Sequence, residues 1–96
     1  MNVVAYATLT VSSTAVTLAS ASPAITSRTK HAVITVEDDE VRYRPDGTAP
    51  TSTEGVLLSP GGGLEYLTHG NYKSVLNAIQ FIRVTGDAKL KIIFYD

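Results

Sequence analysis

Apolar and polar residues alternate with a period of two over most of this chain. In "VVAYATLTV", residues 3–11, Val3, Ala5, Ala7, Leu9 and Val11 fall on one face, and Val4, Tyr6, Thr8 and Thr10 on the other. Successive side chains of a strand point to opposite faces, so the pattern predicts a β-strand. After a Ser12-Ser13 turn, a second short strand is expected over residues 15–19, with Val16 and Leu18 inward. "SASPAITSRTK" is polar and contains a proline, which predicts a loop. "HAVITVE", residues 31–37, is a third strand. Ala32, Ile34 and Val36 share one face and Val33 and Thr35 the other; neither face is fully polar, so a central position is expected. The acidic turn Glu37-Asp38-Asp39-Glu40 leads into a fourth strand, Val41 to Arg44, and the two strands predict a hairpin.

Further along, a short strand is expected around Val56-Leu57-Leu58, a turn at 60–63, and a strand from Leu64 to Leu67. "THGNYKSVLN" has room for one helical turn starting near Asn71. A strand over 78–84 sets Ile82 and Val84 opposite Arg83. After a Gly86-Asp87 turn, residues 88–95 alternate most cleanly, with Ala88, Leu90, Ile92 and Phe94 toward a core and Lys89 and Lys91 toward water. Seven or eight short strands separated by turn signals predict an all-β protein, a small antiparallel β-sandwich or barrel. Long helical segments are missing, which argues against parallel crossover units.

With 96 residues, the chain is expected to form one domain over 1–96. A chain of this size buries roughly 60–65% of the surface its unfolded form exposes, so its core is thin. There is no cysteine, which removes disulfide staples, thiol catalysis and cysteine zinc sites. A small unstapled core gains from a partner or from oligomerisation. The formal net charge of −1 lacks the basic excess of a nucleic-acid binder. No apolar run approaches the roughly 20 residues that span a bilayer, so no membrane partner is expected. The start, "MNVVAYATLTV", lacks the basic residues and continuous apolar run of a signal peptide. Synthesis in a reducing cytoplasm is the expectation.

Several features invite a chemical reading. His31 starts a strand and His69 lies beside Gly70, but no nucleophile-elbow pattern surrounds any serine. The Glu37–Glu40 run lacks the glycine and the alternating spacing of a calcium loop. Gly61-Gly62-Gly63 is followed by Leu-Glu-Tyr rather than the Lys-Ser or Lys-Thr and helix of a phosphate loop. The ordinary reading of each is structural. No catalytic, cofactor or metal residue is assigned, and a non-enzymatic protein is expected.

"RYRPDGTAPTSTEG", residues 42–55, is the most distinctive stretch. Pro45 presets φ for a corner, Asp46-Gly47 supplies a turn, and Pro50 stiffens the return. Thr48, Thr51 and Thr53 have hydroxyls that can bond nearby backbone. The stretch reads as a rigid polar loop, and a rigid loop loses little entropy on docking. Arg42, Arg44, Asp46, Thr48 and Thr51 are therefore the candidate protein-contact residues, with the N-terminal segment as a second candidate surface. The two arginines could equally line an exposed strand face or fork onto a partner's carboxylates.

The longer stretch "VRYRPDGTAPTSTEGVLLSPGG" resembles a motif of small β-sandwich virion proteins of tailed bacteriophages, of the type "IRYRxDGTxPT" followed by a short apolar strand and a glycine-rich turn. "HAVITVEDDE" resembles that family's "RAVITVE" strand, and "FIRVTGDAKLKIIFYD" its closing hairpin. The resemblance covers residues 31–96. A related "YTxDGSxPT" pattern marks a structural turn in immunoglobulin-like adjunct domains of chitobiase-type glycosidases, but Arg44-Pro45 departs from it.

The phage resemblance implies an immunoglobulin-like sandwich and a place in the virion. The leading expectation is a capsid decoration or cement protein on the capsid exterior, present in many copies, whose partner is the major capsid protein or another virion protein. A head–tail connector, tail or fibre component is the alternative within that class. Copy number separates them, on the order of hundreds against about six or twelve. A carbohydrate-binding module is a rival from another class. It would need exposed aromatic platforms, for which Tyr6, Tyr66 and Tyr72 are the candidates.

Overall fold

The computed structural model describes residues 2–26, 28–67 and 73–96. Among the described residues eight strands form: β1 (Val3–Val11), β2 (Val16–Thr17), β3 (His31–Glu37), β4 (Val41–Arg44), β5 (Val56–Leu58), β6 (Gly63–Leu67), β7 (Gln80–Arg83) and β8 (Ala88–Tyr95). A short helix, α1 (Lys73–Ala78), precedes β7, and a 3-10 turn spans Leu18–Ser20. The strands build two antiparallel four-stranded sheets, ordered β1-β8-β3-β6 and β2-β7-β4-β5. The all-β sandwich expected from the alternation is what the chain forms.

The pairing is nested. β1 pairs with β8, β2 with β7, β3 with β6 and β4 with β5, and successive pairs fall alternately in the two sheets. The chain is in effect one long hairpin rolled up into two layers. Eight strands in two such sheets are the connectivity of a jelly roll. An immunoglobulin sandwich instead sets its first strand beside its second. Here β1 lies beside the last strand, so the sandwich is of the jelly-roll kind.

That topology corrects the expected β3–β4 hairpin. Both edges of β3 are taken, by β8 and by β6, so β4 has no free edge to join and crosses to the other sheet. The acidic turn makes this crossing. Asp38 adopts φ +79, the Asp39 amide donates to the Glu37 carbonyl at 3.0 Å, and the Glu40 amide to Asp39 Oδ1 at 2.7 Å.

Other boundaries shift for local reasons. The strand expected over 15–19 stops at Thr17, where the 3-10 turn drops Leu18 fully into the core and the Ala21 amide bonds the Leu18 carbonyl at 3.1 Å. Leu-Ala-Ser has no β-branched residue to favour extension. The strand expected from Ala78 begins at Gln80, because Ala78 ends α1. Its core residue is Phe81, while Ile82 and Val84 are only half-buried. The helix is longer than one turn, and Asn71 lies outside the described residues. In β1 the register slips between Val3 and Ala5, which leaves Val3 60% exposed and turns Val4 toward the core.

The core lies between the sheets. β8 contributes Ala88, Leu90, Ile92 and Phe94, all fully buried, side by side on one inner face with Ala7, Leu9 and Val11 of β1 and Ala32, Ile34 and Val36 of β3. The second sheet answers with Val41 and Phe81, and Leu18, Leu76 and Ile79 join the same cluster from the 3-10 turn, the helix and its end. Among the described residues no helix is long and apolar enough to cross a membrane.

Candidate contact loop between β4 and β5

β4 and β5 form the outer pair of their sheet, with Val41 opposite Leu58, Arg42 opposite Leu57 and Tyr43 opposite Val56. Eleven residues numbered 45–55 connect them. Val41 is buried and Tyr43 packs on Phe81 with ring centroids 6.1 Å apart, so Arg42 and Arg44 project from the outer face. The alternation foresaw this much.

The structure brings the loop back over that face. Arg42 Nε donates to the Ser52 carbonyl at 3.1 Å, and Arg42 Nη1 to the Gly55 carbonyl at 2.9 Å. Its guanidinium therefore satisfies two backbone acceptors of its own loop. Arg44 forks onto Asp46, Nε to Oδ1 at 3.1 Å and Nη2 to Oδ2 at 2.5 Å. The same Asp46 Oδ1 accepts the Thr48 amide at 3.2 Å, an Asx turn. The Arg44 hydrogen bond, then the Thr48 amide, hold the Asp46 carboxyl below its ordinary pKa; the bond to Asp46 raises that of Arg44.

A second tight turn follows. The Thr51 amide donates to the Glu54 carbonyl at 2.9 Å, the Glu54 amide to the Thr51 carbonyl at 3.3 Å, and the Thr53 amide to Thr51 Oγ1 at 3.3 Å. Pro50 is buried against the frame. Gly55 adopts φ +135, and a Cβ there would lie 3.1 Å from the Tyr43 carbonyl oxygen and 3.2 Å from Pro50 Cβ. Only glycine suits that backbone and that proximity. From β7, Gln80 Nε2 reaches the Gly47 carbonyl at 3.4 Å. Asp46, Thr48 and Thr51 stand exposed on this frame. Beside it, the loop's Thr51 and Ser52 and the β7 residues Ile82 and Arg83 line an open cleft of about 410 Å³.

The other sequence features find structural roles. His31 is buried with its ring 5.2 Å from that of Tyr95; His69 lies outside the described residues. The glycine turn extends the β3 edge: the Gly61 amide donates to the Val36 carbonyl and the Val36 amide to the Gly62 carbonyl, both at 3.0 Å, and the Gly62 amide bonds Ser59 at 2.8 Å. Those amides are committed to the sheet, not aimed at an anion. Among the described residues no group of three His, Cys, Asp or Glu side chains could hold a metal. Tyr6 is 57% exposed; the Tyr66 side chain and Tyr72 lie outside the description. The tie from Arg42 back to Ser52 and Gly55 is the feature sequence reading missed, and only the spatial return of the loop reveals it. Comparison with protein-family models, with curated proteins and with solved structures gives no significant match.

Proposed function

We propose that this chain is a non-enzymatic structural protein of a bacteriophage virion, a decoration or cement protein that binds the capsid exterior. The observation that carries the reading is the loop over 45–55, whose arginines and turn residues hold its own shape and present Asp46, Thr48 and Thr51 outward. Such a surface suits docking, because its conformational entropy is already lost in the free protein. The bacteriophage part of the reading is supported by the sequence resemblance over residues 31–96. The jelly-roll connectivity is compatible, since capsid and lectin domains both use it, but a fold carries no function by itself.

In this reading Arg42 is part of the loop frame. Contact falls to the exposed Asp46, Thr48 and Thr51, with Arg44 reaching a partner carboxylate only by leaving Asp46. Many copies, each binding weakly and touching neighbouring shell subunits, would together resist expansion of the shell. Binding only the folded form would in turn stabilise this thin-cored domain.

Electron microscopy of particles assembled with and without the protein tests the reading. The expected result is density on the shell exterior in many symmetry-related copies, absent without the protein, together with lower heat resistance of the bare particle. Unchanged density and unchanged heat resistance would remove the proposal, and density confined to about six or twelve copies at one vertex would move the protein to the neck or tail.

A further inference from the structure

Each sheet has two edge strands, and the edges differ in how they are guarded. Along β1 the register slips between Val3 and Ala5, and the loop after the 3-10 turn covers the middle: the Thr8 amide donates to the Ser22 carbonyl at 3.1 Å and the Ser22 amide to the Thr8 carbonyl at 2.9 Å. β2 ends after two residues in the 3-10 turn. β6 carries a charged residue, Glu65. Bulges, covering segments, shortness and charge are the devices that keep a free edge from recruiting another strand. β5 is short, Val-Leu-Leu, and has none of the other devices. It pairs with β4 alone, without a register slip, and holds no polar side chain. Among the described residues the backbone of Val56–Leu58 makes no hydrogen bond outside that ladder.

Both faces of β5 are open as well. Val56 lies beside Tyr43, whose ring packs inward on Phe81, and Leu57 lies beside Arg42 on the outer face. Yet Val56 keeps 51% of its surface and Leu57 44%. A free edge accepts an extended backbone, because only a strand matches its row of amides and carbonyls. Apolar side chains open on both faces add a second requirement. The incoming strand must be apolar on both of its own faces, which a strand with one solvated, polar face is not. β5 itself meets that requirement. Laid antiparallel to its own copy, it sets Leu57 against Leu57 and Val56 against Leu58, all apolar cross-strand pairs. Beyond them Gly55 meets Ser59 and Glu54 meets Pro60, so no charge opposes a like charge along the pair. The two Arg42 residues stand three strand spacings apart, roughly 14 Å, beyond the screening length of about 8 Å at physiological salt.

We propose that two molecules of this chain pair through β5, antiparallel about a two-fold axis at Leu57, and join their short sheets into one continuous sheet. A two-fold contact matches a surface with itself, which this self-complementary strand allows. The contact is short, and Pro60 just past it has no amide to extend the ladder, so the pair is weak and forms at high concentration. The pairing does not depend on the particle reading, and either can fail alone.

Sedimentation equilibrium of the purified chain at concentrations up to about 1 mM, where weak pairs become populated, provides the test. A monomer–dimer equilibrium is expected. Leu57→Lys and Leu57→Glu each set like charges face to face at the axis, and each should weaken the association roughly tenfold or more. An equimolar mixture of the two should recover the dimer, because lysine then faces glutamate. Recovery is specific to this geometry, in which residue 57 of one copy meets residue 57 of the other. Melting curves matching the unmodified chain establish that the variants fold, and Leu57→Thr, which keeps a strand-forming residue, reads the loss of pairing should either charged variant not. A chain that stays monomeric throughout overturns the proposal. So does a dimer that the Leu57 variants leave intact, which would put the contact elsewhere. A dimer lost in both charged variants and not recovered by mixing them would overturn the antiparallel pairing at Leu57.

Discussion

The two sheets divide the work unequally. The β1-β8-β3-β6 sheet has strands of nine, eight, seven and five residues, and its inner face supplies ten of the buried apolar side chains, from Ala7 to Phe94. The β2-β7-β4-β5 sheet has strands of two, four, four and three residues and supplies Val41 and Phe81. The first sheet is held by long ladders and a continuous apolar face. The second is held by one large aromatic residue and by side-chain ties such as Arg42. A short sheet of this kind can carry an eleven-residue loop without being able to stabilise itself, and it takes its stability from the layer beneath. The region with the most distinctive sequence is thus the region with the thinnest support.

Phe81→Ala tests that contrast hardest. Phe81 is fully buried and touches Tyr43 across the β4–β7 pair. Truncating a buried phenylalanine costs about 3–5 kcal/mol. Denaturant unfolding should show a loss of that size, and hydrogen exchange should show β4 and β5 losing protection ahead of β1 and β8. Phe94→Ala, in the long-stranded sheet, should cost as much but lower protection in both sheets together. Identical exchange patterns for the two variants would break the division of labour.

Arg42→Met sharpens it at lower cost. The methionine keeps an apolar stem over the strand but leaves the Ser52 and Gly55 carbonyls without their donor. Both carbonyls can turn to water at this partly exposed site, so a loss of about 1 kcal/mol is expected. Limited proteolysis should cut within 45–55 faster than in the unmodified chain, with no new cuts in β8. A variant as resistant as the original would show that Arg42 does not frame the loop and would return it to the set of partner contacts.

The same contrast governs what the sequence could reveal. Residues 3–11, 31–37, 41–44 and 88–95 are legible as strands because each buries one face against a layer, and burial writes a period of two into the residues themselves. β2 has only two residues and β7 follows directly on a short helix, so the period alone does not show that Leu18 lies past the end of β2 and Ala78 before the start of β7. Strand order depends on which edges are still free once the other pairs have formed; nothing in "VEDDEV" announces that β3 is already flanked on both sides. For the candidate site, the Pro-Asp-Gly corner and the threonine caps were readable from local chemistry. The Arg42 tie was not, because its acceptors lie 10 and 13 residues further on and meet it only after the loop folds back.

The smallest expected effect concerns the charge that shapes the loop tip. Asp46 has its pKa lowered, first by the Arg44 bond and then by the Thr48 amide. A carboxylate lowered on folding contributes stability that is fully present above its unfolded value, about 3.9 for aspartate, and is lost as pH falls through the lower folded value. The loop tip should therefore be intact at neutral pH and loosen only under acid conditions. Asp46 is solvent-exposed and Asp96 also has a lowered pKa, held by the Asn2 amide and then Arg28, so a global melting curve would mix the two. The Thr48 amide is a local reporter, since it donates to Asp46 Oδ1. In an NMR pH titration its shift should move with a midpoint below the ordinary aspartate value, and in Asp46→Asn that step should vanish while the amides of β8 stay put. A midpoint at or above the ordinary value would mean that Arg44 does not hold Asp46 in solution. It would leave both side chains free for a partner and make the loop tip a surface that orders on contact.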